Sequence, residues 1–587
     1  MASGRPGRCV RAAGDNWIVR VAVVAGAGES GLLCELSEDG SPQGEIFAAH
    51  DLVAAIAERE MAPGTRWVWP ATASLYPRLL RARVTVARCH DVALVDTLIA
   101  GRDAMAAPPA GRLEEARARL HAAQAQAGQA QLEQEQSQQA LFQQALFEPG
   151  DAGEQADGPG DTRAVLDALI EVHADQLARI AADEHPGRFG LLMAAESAGA
   201  LAAAEMSADG LPWRRDVHDE LLTELLGRRP ASSVQPAKLA ELAAQISAAF
   251  GTRRPVNPDS PAQLLQALAA DGVRLPSTRL AVLRDVNHPA IAPLIEYKEL
   301  SRLHSAFGWS WLDTWVRDGR FRPEYVVGGV VSGRWASRGG GALQIPKMLR
   351  RAVVADPGWV LVVADAAQLE PRVLAALAGD RAFAAAAASG DLYTELARAF
   401  GGDRAKAKIA MLSAMYGGAG GEAGQLLAVL RQRFPAAAGY VEAAARAGEE
   451  GRVVRSVLGR TCPPPSARWR ALTEEASDPE GERDPSAGLA SRARGRFTRN
   501  FVVQASAADW ALVMLANLRA GMSKLSQAEL VFFQHDEVIV HCPEALADAV
   551  VAATAQAAQV AARQVFGKTN VLFPFTTAVA TCYGDAK

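Results

Sequence analysis

Cysteine is scarce in these 587 residues, and the little there is does not cluster. Cys9, Cys34, Cys89, Cys462, Cys542 and Cys582 form no C-x-x-C pair, which argues against a zinc cluster or a disulfide framework and fits a reducing, cytoplasmic setting. Long apolar runs are missing as well. No stretch of 18 or more apolar residues occurs, so no transmembrane helix and no membrane partner are expected. The opening MASGRPGRCVRAAGDNW has arginines but no apolar core, so no secretory signal is expected. Nor is there an excess of positive charge: 61 Lys+Arg against 66 Asp+Glu leave −5. That excludes a protein that coats nucleic acid by bulk charge, but not an enzyme in which only a groove need be positive. Lysine is the rarest basic residue, eight against 53 arginines, so each lysine merits individual attention; two of them are Lys406 and Lys408.

What is present is ordinary globular composition, 49% hydrophobic and 22% charged, over a length that implies about three or four domains. Trp17–Val24 (WIVRVAVV) reads as a strand, Gly31–Leu36 as its partner, and Asp51–Met61 as a helix. From about 112 to 161 Gln and Ala dominate, QQALF repeats in tandem at 138–147, and EPGDAGEQADGPGD follows; this reads as a polar helix and a flexible linker. Residues 162–310 are amphipathic helix broken by Pro and Gly. Beyond 311, β-type segments return around a long helical insertion, the pattern of an α/β sheet interrupted by helices.

Two β segments end in carboxylates. Val360–Ala364 (VLVVA) runs into Asp365, and Glu529–Cys542 reads as strand, tight turn and strand, with His535-Asp536-Glu537 at the turn. Strand ends present side chains rigidly. Two such carboxylates on neighbouring strands could hold two Mg²⁺ ions about 4 Å apart for phosphoryl transfer. The alternative is that Asp365 caps a helix and the triplet is turn chemistry. In Arg404–Gly417 (RAKAKIAMLSAMYG), Arg404, Lys408, Leu412 and Tyr416 fall four apart, on one helical stripe ended by Gly-Gly. Two cations and an aromatic suit a nucleoside triphosphate; solvated charges beside a core tyrosine would give the same spacing.

Together these segments resemble the family-A, polymerase-I-like DNA polymerases, and among them the bifunctional 3′–5′ exonuclease/DNA polymerase proteins of high-GC bacteria. VVADAAQLEPR (362–372) resembles motif A, RAKAKIAMLSAMYGG motif B and QHDEVIV (534–540) motif C. In the same order, VVSGRWASRGGGALQIP (330–346) resembles the TGRLSS…LQNIP segment and RRAVVADPGW (350–359) the approach to the catalytic strand. GDLYT (390–394) resembles DxHT, LGRT (458–461) resembles LGRRR, and RFTRNFVVQASAADW (496–510) resembles RxxxNxxxQGTAAD. VNPDSPAQLL (256–265) and the run 277–300 resemble the thumb and its exit.

The resemblance implies an α/β multidomain, right-hand polymerase of palm, fingers and thumb behind a degenerate ribonuclease-H-like exonuclease domain. Its implied boundaries are 1–110 exonuclease-like, 111–163 linker, 164–310 helical connection and thumb, 311–380 palm, 381–495 fingers and 496–587 palm. It implies that Asp365, Asp536 and the carbonyl of Ala366 bind two Mg²⁺ (or Mn²⁺), with Glu537 beside them. Arg404, Lys408, Tyr416, Glu370, Leu412 and Gln368 would bind the dNTP, Lys408 also assisting the pyrophosphate leaving group and Glu370 excluding a ribose 2′-OH. Arg334, Arg496, Asn500, Gln504 and His535 would contact primer-template DNA. Arg334, Arg338, Lys347, Arg350 and Arg351, with Arg492, Arg494, Arg496 and Arg499, would concentrate positive charge along the DNA. The enzyme would be a monomer in the cytoplasm, associated with the nucleoid, acting in repair or gap filling.

The departures fall around the sugar and the first domain. Ala366 and Ala367 replace the Tyr-Ser of motif A, Pro371 its leucine, Leu412 an aromatic, Tyr393 the histidine of DxHT and Ala505 a glycine. Trp17–Val24 carries no carboxylate, no tyrosine falls between 77 and 296, and no Y-x3-D or H-x4-D appears there. His90–Ile99 nevertheless resembles a helix of the exonuclease fold, so the fold is expected to persist without its metal site and without proofreading. Two other readings stay open at this point: a catalytically impaired DNA-binding relative, and a nuclease acting through the first domain. The acidic stretch 473–486 is expected to be a solvated fingers loop.

Overall fold

The computed structural model describes residues 19–103, 113–125 and 159–586, apart from 232–233, 252–254, 339, 389–390, 399–400, 418–427, 430 and 476–484. The tandem QQALF repeat, the linker after it and most of the acidic stretch 473–486 lie outside the described residues.

The chain first builds a five-stranded sheet in the order β3-β2-β1-β4-β5, from β1 (Val19–Ala25), β2 (Gly31–Leu36), β3 (Pro42–Ala49), β4 (Thr65–Trp69) and β5 (Cys89–Asp91). The first three strands pair antiparallel, whereas β4 runs parallel to β1 and β5 parallel to β4. Period-two alternation sends Val21, Val23, Trp67 and Trp69 to one face, under helices Leu52–Glu60 and Thr72–Arg81. Ala22, Val24 and Val68 face the other way. That second face corrects two expected boundaries. Residues 113–125, assigned to the linker, bury Ala116 and Leu120 there, and helix Pro159–Ala181, assigned to the thumb connection, buries Val165, Leu166, Leu169 and Val172 there. The first was expected as a solitary polar helix and the second as part of an amphipathic run, and neither reading said what it covered.

Small strands β6 (Leu211–Pro212), β7 (Val316–Arg317) and β8 (Arg320–Phe321) form one sheet, and β9 (Glu324–Val326) with β10 (Ala336–Arg338) a hairpin. The helices between 215 and 315 gather around Trp213, Leu222, Tyr297 and Trp311.

The second main sheet is antiparallel in the order β12-β13-β11-β14: β11 (Trp359–Ala366), β12 (Glu529–Gln534), β13 (Glu537–Pro543) and β14 (Phe575–Ala580). The expected strand 360–364 thus extends through Asp365. On β11, Val360, Val362 and Ala364 face the largest core, while Leu361 and Val363 face the cluster around Trp213 and Tyr583. Both faces are covered, which explains why this strand reads as an unbroken apolar run. The insertion between β11 and β12 is mainly helical where described, apart from the irregular stretch 451–466, and ends in the 38-residue helix Pro485–Met522, which crosses the expected 495/496 boundary without a break.

Three helices, Pro186–Asp209, Ser486–Met522 and Glu544–Phe566, are long and apolar enough by length and composition to cross a membrane, although none is an unbroken apolar run. In the first two, 67% and 83% of the apolar window is buried inside the protein, as an all-round apolar helix requires when it forms a core.

Candidate active site

The register of the second sheet sets the site. Asp365 on β11 lies opposite Glu537 on β13, and the Ala366 N–H donates to the Asp536 carbonyl at 2.8 Å. Gln534 and Glu537 close the β12–β13 hairpin, leaving His535 and Asp536 in the turn. His535 has φ +59°, and the Asp536 N–H reaches back to the Gln534 carbonyl at 2.7 Å. A non-glycine residue in this region is strained, and the strain projects Asp536 towards Asp365. Gln368, φ +56°, makes a second such corner after β11 and starts helix Leu369–Ala378.

Across from the carboxylates stands helix Arg404–Met415, capped by Asp403, whose side chain accepts from the Lys406 N–H at 3.0 Å. Arg404, Lys408 and Leu412 line a cleft of about 670 Å³ with Asp365, Asp536, Ala366, Gln368, Glu370, Arg334 and His535. The fold thus brings ten of the candidate residues together in one cavity. Burial and the neighbouring Asp365 charge push the Asp536 carboxyl up to about 6. Burial and the Arg334 cation hold His535 below its ordinary value.

Other candidates stand beside the cleft. Tyr416 donates its hydroxyl to Glu370, whose second oxygen accepts from Arg334, so the carboxylate is gripped from both sides. Burial and Glu370 push the Tyr416 phenol well up, and Gln504 of the long helix opposes them. Arg496 is exposed near Gly417, where φ +78° ends the cation-bearing helix; the Asn500 Oδ1 is buried without a partner among the described residues. Glu537 does not line the cleft: it is buried and accepts from the Tyr583 hydroxyl at 2.6 Å. Arg494 and Arg499, expected on the DNA side, are also buried: Arg494 donates to the Pro463 carbonyl and Arg499 to that of Met415.

Asp391 is a cleft residue that motif reading passed over. It caps helix Leu392–Ala397 and accepts from Arg404, Gln368 and Thr394, and these bonds hold its carboxyl down at about 2 against the desolvation that opposes them. Arg404 also lies 5.7 Å from the Tyr393 ring centroid. The D-x-x-T spacing of an N-cap was the available signal.

The donor set can be tested against a divalent cation. Asp365 and Asp536 offer hard oxygens, Ala366 adds a carbonyl at the strand end, and the raised Asp536 carboxyl marks negative charge awaiting compensation. No group of three or more His, Cys, Asp or Glu poised for a metal occurs among the described residues. Two carboxylates and a carbonyl fit Mg²⁺ when water and phosphate oxygens complete the shell.

Comparison with known proteins places this cleft in a family. Residues 229–581 match the model of DNA polymerase family A, and the chain belongs to that family. The thermostable DNA polymerase I of Thermus aquaticus is 27% identical over 306 residues, 47% of this chain and 34% of that protein. DNA polymerase I of Chloroflexus aurantiacus is 27% identical over 315 residues, 49% of this chain and 32% of its own. The chain thus aligns with about a third of the length of these curated relatives. The POL domain of Pol1 from M. smegmatis, solved in complex with DNA primer-template and dNTP, shares the fold with a TM-score of 0.67 at 20% identity, covering 97% of this chain and 96% of its own.

Proposed function

We propose that the protein is a template-directed DNA polymerase that joins a dNMP from a dNTP to a primer 3′-OH. The observation that carries this reading is the cleft in which Asp365 and Asp536, from neighbouring strands, face the Arg404–Lys408 stripe. Carboxylates on one wall and cations on the other match what a primer hydroxyl and a triphosphate need at the moment of transfer. Mg²⁺, bound by Asp365, Asp536 and the Ala366 carbonyl, would activate the attacking hydroxyl and neutralise the phosphates. Arg404 and Lys408 hold the triphosphate in line, Arg404 exchanging Asp391 for phosphate, and Lys408 balances the charge that develops on pyrophosphate. Tyr416 stacks at the templating position, and Leu412 and Gln368 bound the sugar side. Glu370 stands where a ribose 2′-OH would lie. Arg496, Asn500, Gln504 and His535 meet the primer-template.

The N-terminal sheet supports an exonuclease-like domain without exonuclease chemistry: β1 is buried and has no acidic residue. On this reading the protein copies DNA without proofreading, and we place it as a cytoplasmic monomer acting in repair or gap filling. Primer extension with Mg²⁺ and dNTPs tests the reading. Extension by the native chain and its loss in Asp536→Ala are expected; no extension, or equal extension by both, would overturn it. Shortening of a 3′ end without dNTPs would overturn the loss of proofreading.

A further inference from the structure

Glu370 is gripped by Arg334, and Arg334 sits on a turn whose seat lies outside the cleft. The seat is a buried ionic triad. Arg460 is 6% exposed, and its guanidinium donates to Glu196 at 2.8 Å and to Asp509 at 3.2 Å. The three residues come from separate places: the loop 456–461, helix Pro186–Asp209 and helix Pro485–Met522. The loop is tied down further, with the Leu458 N–H on Asp509 at 3.3 Å and the Val457 N–H on Ser506 at 3.0 Å. Removing charges from water costs several kcal/mol per ion, so a triad this deep calls for a purpose beyond stability.

The turn between β9 and β10 rests directly on it. Gly333 has φ +83°, and a Cβ there would overlap the Arg460 guanidinium. Gly328 has φ +62°, and a Cβ there would stand 2.5 Å from the Glu196 carboxylate. Both positions therefore need glycine, for backbone conformation and for closeness to an ion that cannot retreat. Bonds from the Gly333 N–H to the Val330 carbonyl at 2.7 Å and from the Val330 N–H to the Arg334 carbonyl at 3.0 Å make the turn rigid. Residue by residue, Gly333 lies on Arg460, Arg334 crosses to Glu370, and Trp335 enters the core with its ring 4.8 Å from that of Phe533.

We propose that Arg460 is a positioning residue for sugar selection: it sets the height of the 328–334 turn, which delivers Arg334 to Glu370 and holds that carboxylate across the site of a 2′-OH. The inference rests on the polymerase reading above. Without the seat, Arg334 withdraws and Glu370 keeps only its Tyr416 bond, so the carboxylate turns aside and ribonucleotides enter.

The test is single-nucleotide insertion with dNTP and with rNTP by the native chain, Gly333→Ala, Glu370→Ala and the double variant. Gly333→Ala should lower the dNTP/rNTP ratio of kcat/KM about tenfold, the size of one lost charge-assisted hydrogen bond. In the Glu370→Ala background it should change that ratio no further. An unchanged ratio, or an effect that adds in full to that of Glu370→Ala, would overturn the proposal. Arg460→Lys, which keeps the charge but shortens the seat, should move the ratio in the same direction and serves if Gly333→Ala does not fold. Extension by the native chain with unaltered selection in both variants sinks this inference alone; no extension by the native chain sinks the polymerase reading beneath it.

Discussion

The N-terminal sheet and the palm-like sheet both bury apolar strands between helices, yet they treat buried polar groups in opposite ways. In the first sheet such groups are neutral or satisfied at home. Asp91 accepts from the N–H groups of Thr72 and Leu94, and His90 pairs with Gln176 at 2.7 Å. His173 lies edge-on to His90 with ring centroids 4.4 Å apart, both its nitrogens buried without a partner among the described residues. Burial depresses His90 to about 4 and His173 to about 2, so neither carries charge at neutral pH. In the second sheet two carboxylates meet at the strand ends with Asp536 raised, and cations stand across a cleft. The scaffolds are alike in kind; charged groups gathered around a cleft are what separate a site from a support.

The comparison breaks most sharply at Asp536. Asp536→Ala should reduce primer extension about a thousandfold, the scale of losing an electrostatic partner of the transition state, with folding intact by circular dichroism. Lys408→Ala should lower kcat about a hundredfold in steady-state insertion kinetics while KM for dNTP changes less, since its charge is needed most at transfer. The support side should fail in stability instead. Arg519 joins the two regions, donating to Glu205 at 2.6 Å and to the Val86 and Ala87 carbonyls at 2.6 and 3.0 Å. Arg519→Ala leaves Glu205 and those carbonyls facing a gap and should cost about 3 kcal/mol in denaturant unfolding, without the rate loss seen at Asp536. The smallest effect, per pH unit, lies in acid. The folded pKa values of His90 and His173 lie below the unfolded value near 6.5, so the unfolded chain binds the extra protons. Stability is then full above about pH 6.5 and falls as pH drops towards 4, by up to about 1.4 kcal/mol per pH unit for each histidine. His173→Leu should flatten that slope in thermal melts taken across the window.

Much of the cleft was legible because its parts are local patterns. An apolar strand ending in Asp365, a hairpin turning at His535-Asp536 and a helical stripe of Arg404, Lys408 and Leu412 each announce themselves within a dozen residues. What escaped depends on partners far away in the chain. Glu537 looked like a member of the site, but it is buried against Tyr583, which lies 46 residues further along the chain. Arg494 and Arg499 were expected along the DNA as part of an arginine-rich run, yet that helix is packed on several sides, and they are buried. Helix Pro159–Ala181 was readable as a helix but not as the cover of a sheet that begins 140 residues earlier. The Arg460 triad joins three segments that no spacing rule connects.

The long helix Pro485–Met522 gives the comparison a mechanical side. At 1.5 Å per residue its 38 residues span roughly 57 Å. Trp469 grips it near one end through the Ala490 carbonyl, Arg460 holds its middle at Asp509, and Glu205 with the carbonyls of Val86 and Ala87 clamps Arg519 near the other end. A rod tied at three points couples what it touches: a load on the segments at its first end is carried past Asp509 to the N-terminal sheet.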